Sequence, residues 1–108
     1  MLTAAGTERR GLATVYGCGA YAFTPRGPTW PLDLYGAGSP RLALRWMRGR
    51  AQDIADQLDP AGATPAHHWL TDQREHEWFL TRLRVGAAYI LTLFEDATRY
   101  VLMVKPGR

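Results

Sequence analysis

Apolar residues recur at helical spacing through one stretch of the chain. Leu44, Met47, Ala51, Ile54, Ala55 and Leu58 form a single stripe. Ser39 can cap the first-turn amides, Pro40 fits the first helical position, and Pro60 and Gly62 supply the stop. The spacing predicts one long helix over residues 40–58. Before it, Leu12 to Phe23 is rich in β-branched, aromatic and small residues and reads as a strand. Gly17 and Gly19 flank Cys18 there and suggest a bulge or a close backbone approach. Trp30 to Tyr35 reads as an edge strand, because Pro31 cannot donate to a ladder.

After the helix, Thr64-Pro65 repeats the cap-plus-proline signal for a short helical turn through Leu70. The period then changes. Phe79, Thr81, Leu83 and Val85 alternate with Leu80, Arg82 and Arg84, the pattern of a half-buried strand. Ala88 to Phe94 and Arg99 to Lys105 are two further strands around a hairpin loop at Glu95-Asp96-Ala97-Thr98. The last third therefore predicts a three-stranded meander. The expected fold class is α+β, with two layers: a mainly antiparallel sheet of about five strands, and one long helix packed on one face. Residues 1–11 are expected to be a flexible N-terminus, and residues 12–108 a single domain.

Composition narrows the function classes. The chain has 108 residues, 46% hydrophobic and 21% charged, which suits one globular domain. The longest mostly apolar stretch, Val85 to Phe94, is too short to span a membrane, and residues 1–10 carry no apolar leader. A cytoplasmic location without membrane contact is the expectation. A single cysteine excludes an internal disulfide. Gly17-Cys18-Gly19 lacks the rest of a dinucleotide fingerprint, and there is no Walker lysine or Gly-x-Ser-x-Gly elbow. No cofactor is expected. The net charge of +3 is too small to demand a nucleic acid.

Four constellations could carry chemistry. Cys18 is a candidate nucleophile if His67, His68 or His76 supplies a base; its plain alternative is a buried strand residue. His68, Asp72 and His76, with Glu75 nearby, would share one face of a continuous helix and could hold a divalent metal; the alternative is a surface loop. Arg41, Arg45 and Arg48, followed by Arg50, crowd the front of the long helix, while Asp53, Asp56 and Asp59 lie behind. That order opposes the helix dipole. The arginines could meet an acidic partner or phosphate, or Arg48 or Arg50 could pair with Asp53 or Asp56. Arg82, Arg84 and Arg99 are placed on the solvent face of the meander, where a basic face could bind nucleic acid or simply protect an edge. Trp30, Trp46, Trp69 and Trp78 lie off or beside the core stripes, and Trp46 should sit at the helix flank, where aromatics favour interfaces.

The element order resembles the roadblock/LC7 family within the profilin-like group. The resemblance rests on helix 40–58, then on Glu77 through Phe94, then on Arg99 to Val104. It implies a non-enzymatic dimer that scaffolds or regulates small GTPases, pairing through the central helix and the strand after it. Carried over, Arg45, Trp46 and Arg48, with Trp78, Leu80 and Arg82, would lie near that surface. Residues 1–11 leave little room for the family's first helix. The reading is a dimeric interaction or regulatory module with Arg41, Arg45, Trp46, Arg48, Trp78, Arg82 and Arg84 as its partner surface. Its rivals are a small thiol- or metal-dependent enzyme and a basic nucleic-acid-binding module.

Overall fold

The structure is a computed structural model that describes residues 15–27 and 29–107. The expected N-terminal segment 1–11, the predicted start of the first strand at Leu12, and the side chain of Trp30 lie outside the described residues. In chain order the elements are β1 (Tyr16–Phe23), β2 (Trp30–Ala37), α1 (Pro40–Gln57), α2 (Pro60–Leu70), α3 (Gln73–Arg84), β3 (Tyr89–Glu95) and β4 (Thr98–Pro106). The strands form one sheet in the order β2-β1-β4-β3, with every neighbour antiparallel. The α+β class and the antiparallel sheet agree with the sequence. The described residues form a four-stranded sheet and three helices, where about five strands and one long helix were expected.

The long helix forms where its stripe predicted it. Ser39 Oγ accepts from Leu42 N at 3.2 Å, and Pro40 sits at the helix start. Ala43, Met47, Ala51, Ile54 and Ala55 are buried along it. Pro60 does not merely stop this helix. It opens α2, with Asp59 as the cap: Asp59 Oδ1 accepts from Gly62 N at 2.7 Å. The second helix thus starts ahead of Thr64-Pro65 and carries Pro65 inside it.

The predicted strand over residues 79–85 is the main correction, because it is the second half of α3. Asp72 caps that helix by accepting from Glu75 N at 3.1 Å. His76, Phe79, Leu80 and Leu83 are buried at helical spacing. Phe79 and Leu83 satisfy both periods, since four is one helical turn and two strand steps. The deciding residues are Leu80, which is buried, and Val85, which is 74% exposed. A strand would put Val85 beside Leu83 on the core face. The missing meander strand is replaced by β1, which pairs with β4 from Tyr16↔Pro106 to Phe23↔Arg99.

All three helices lie on one face of the sheet. Cys18, Ala20 and Ala22 of β1, Leu102 and Val104 of β4, and Tyr89 and Leu93 of β3 form the sheet side of the core. Met47 and Ala51 of α1, Ala66 and Trp69 of α2, and Phe79 and Leu83 of α3 form the helix side. The small residues on β1 let α1 approach closely. Each fully buried large side chain, such as Met47, Phe79 or Leu102, contributes about 1.5–3 kcal/mol.

Candidate interaction surface

Side chains alternate along a strand, so the face opposite the helices follows from the register. From β1 it receives Gly17, Gly19, Tyr21 and Phe23; from β4, Arg99, Val101, Met103 and Lys105. From the edge strands come Leu34 and Gly36 on one side and Ile90, Thr92 and Phe94 on the other. Among the described residues nothing packs over this face. Leu34 is 65% exposed, Phe94 61% and Ile90 56%. Contiguous exposed apolar surface of this kind marks interaction sites in soluble proteins.

The face has relief. Gly17 pairs with Gly36 across β1 and β2, so two adjacent positions carry no side chain. Tyr21 folds back along its own strand onto Gly19, where an added Cβ would come within 2.6 Å of Tyr21 Cε2. The obstacle to a side chain there is the ring, not the backbone, so a substitution at Gly19 would displace Tyr21. At Gly36 an added Cβ would meet only Val15 Cγ1, at 3.6 Å. The result is a groove of about 420 Å³ floored by Gly17 and Gly36 and walled by Tyr21, Leu34, Met103 and Lys105. At the far end of β4, the Arg99 guanidinium lies 4.6 Å from the centre of the Phe23 ring, a cation–π contact.

The partner surface expected from sequence is dispersed. Arg41, Arg45 and Arg48 are exposed on the outer side of α1 and line a shallow depression with Leu44, Gln52 and Leu70. No ion pair involves them among the described residues. Arg50 turns away from them, 3.3 Å from Asp33 and 2.5 Å from Asp53. Trp46 is half-buried, and its Nε1 donates to Asp33 Oδ2 at 2.8 Å. It ties α1 to β2. Trp78 is exposed on α3. Arg82 donates through Nε and Nη2 to the Ala88 carbonyl at 3.1 and 2.9 Å, joining the end of α3 to the start of β3. Its guanidinium also lies 5.8 Å from the Trp78 ring centre. Arg84 is exposed in the last turn of α3. The expectation that Arg82, Arg84 and Arg99 share a sheet face fails, because only Arg99 is on a strand.

The catalytic and metal candidates are also separated. Cys18 is 3% exposed, on the core side of β1. Burial pushes its thiol up to about 11, against a weaker opposing hydrogen bond from the Ala37 backbone and with a small further push from Asp33. A nucleophilic cysteine needs the opposite shift. His68 is exposed on α2, while Asp72 caps α3 and His76 is buried inside it. The chain breaks between the two helices at Thr71 and Asp72, so the assumed continuous helix does not exist. Among the described residues no three of His, Cys, Asp or Glu converge as a metal set.

The sequence did not reveal the network around His76. His76 Nε2 lies 2.9 Å from the Trp69 carbonyl, and the two rings meet edge-on at 4.7 Å. Trp69 Nε1 donates to Tyr89 Oη at 2.9 Å, and Tyr89 donates to Glu75 at 2.5 Å. Burial and the bond to Glu75 push the Tyr89 hydroxyl up, so it stays a donor. This chain pins α2, α3 and β3 together. Trp69 is buried, and only its partner on a distant strand could have signalled its role.

A cleft of about 450 Å³ opens beside Arg50, over Ala20, Ala22 and Ile54, with Asp33, Asp53 and Tyr100 at its sides. The Arg50–Asp33 pair holds β2 to α1, the Arg50–Asp53 pair lies within α1, and Arg50 Nε is buried there without a partner. Among the described residues no helix is long and apolar enough to cross a membrane. Comparison with family models, with curated proteins and with solved structures returned no match.

Proposed function

We propose that this chain is a non-enzymatic interaction module that binds a protein partner through the open face of its sheet. The observation that carries this reading is the exposure of Leu34, Ile90 and Phe94 on a face that no helix covers among the described residues. Supporting it, three of the candidate side chains have structural roles, Cys18 and His76 in the core and Asp72 as a cap, and His68 stands apart from them on the exposed side of α2. Regulation of a small GTPase or scaffolding by a dimer, as the roadblock/LC7 resemblance implies, remains one form this function could take. The reading moves the binding surface from α1 and residues 78–84 to the sheet.

The test is photo-crosslinking in the cells that make the protein. A photoreactive residue replaces Met103 on the open face or Arg48 on α1. Adducts to another protein from position 103, and none from position 48, are the expected result. Adducts from position 48 alone would return the function to the arginine face and defeat this reading.

A further inference from the structure

Resting on the reading that the open sheet face docks a protein, we infer the chemistry of the partner: an acidic segment that seats one bulky apolar side chain in the Gly17–Gly36 groove.

The charge on the face points to acid. Among the described residues its two charged side chains, Arg99 and Lys105, are both cations and both stand on β4, an inner strand. Among the described residues no carboxylate shares the face: Glu95 follows the core-side register of Tyr89, Leu91 and Leu93, and Asp96 is in the turn. A partner that covers the apolar surface must cover the flanks of these cations too. Opposite charge on the partner would compensate them, and like charge would be penalised.

The same feature disfavours a second copy. Stacking two such faces brings two cations from each chain into one interface with no acid from either sheet face. Each charge removed from water without a partner costs several kcal/mol. A nucleic acid is disfavoured differently. Two cations make too short a phosphate track, and the exposed Leu34, Ile90 and Phe94 have no counterpart on a phosphodiester backbone.

The groove specifies the anchor. Its floor is bare backbone at two paired glycines, and its walls are an aromatic ring, a leucine and a methionine. A Trp, Phe or Leu side chain would restore on the open face the packing that glycine removes. Lys105 lies at the groove wall, so a carboxylate next to the anchor would reach it. Hot spots commonly combine a buried apolar anchor with a polar rim in this way.

The experiment uses the full chain and fluorescent peptides. One peptide alternates glutamate with leucine and tryptophan. A second carries lysine in place of glutamate, and a third serine in place of the apolar residues. The first should bind, more weakly as salt rises, and the other two should not. Lys105→Glu should weaken binding about tenfold, as for a reversed charge at a docking rim. Gly36→Val should weaken it at least as much by filling the groove. That variant should leave the thermal midpoint unchanged or raise it, because Val suits an extended strand better than Gly. Should it fail to fold, Lys105→Glu alone carries the test.

Equal binding of the lysine peptide, or indifference to both variants, overturns the inference. A photoreactive residue at Leu34 that crosslinks to a second copy, or to residues 1–14 of its own chain, also overturns it by assigning another occupant. Adducts to another protein from position 103, with no binding of the acidic peptide, would remove the partner chemistry and leave the docking face. Absence of adducts from position 103 would remove both.

Discussion

Trp46 and Asp33 show how one contact changes the meaning of a residue. An indole beside a core stripe reads as a flank or interface residue until its nitrogen finds an acceptor. Here the acceptor is a carboxylate on β2 that also takes Arg50 Nη1. Trp46→Phe should cost about 1 kcal/mol of stability and Asp33→Ala about 1–2, as for loss of charge-assisted hydrogen bonds. A double-mutant cycle by denaturant unfolding should show coupling near 1 kcal/mol, and strict additivity would deny the contact. Cys18 gives a pH signature. Its folded thiol is raised from 9.0 to about 11, so the neutral form is favoured by folding. That contribution is fully present below pH 9.0 and is lost as pH rises toward 11. Cys18→Ala should therefore flatten the fall in stability across this window, measured against the parent chain at each pH. The burial of Cys18 was legible from its residue type. The destination of Trp46 was not, because Asp33 is on another element and only the fold brings them together.

Elements were legible where local signals agreed. Around α1 the cap, the proline and the apolar period pointed the same way, and its bounds follow. Around α3 the period was ambiguous. Phe79 and Leu83 fit either structure, and His76, the first member of the buried stripe, does not look apolar in sequence. The polar residues Gln73, Arg74, Glu75 and Glu77 are good helix formers and were the available sign. Thr81 now separates the two assignments. It is exposed on α3, so Thr81→Ala should stabilise by about 0.5 kcal/mol through helix propensity. On a strand the same change would destabilise. Gly49 offers a parallel gain: an added Cβ meets nothing within 4 Å, and Gly49→Ala inside α1 should raise stability by about 1 kcal/mol. Thermal unfolding followed by circular dichroism checks both.

At the scale of the whole molecule, the sheet turns one face to the core and leaves the other open among the described residues. Ile90 and Phe94 should contribute little to the isolated fold. Changing both to Thr should alter stability by no more than about 0.5 kcal/mol each, while raising solubility and weakening partner capture. A loss of several kcal/mol would mean that the face is packed within one chain. No local pattern could disclose this surface. It depended on converting one predicted strand into a helix and on inserting β1 between β2 and β4. That insertion also sets an order of events during synthesis. The hairpin of β1 and β2 is made first, yet its inner edge is completed only by β4, after all three helices and β3 have been made. Until then a nascent chain presents an open strand edge beside apolar side chains, the condition under which incomplete chains pair wrongly. A ribosome that halts before Arg99 leaves β1 and β3 without the strand that joins them, so completion of β4 is itself a folding requirement.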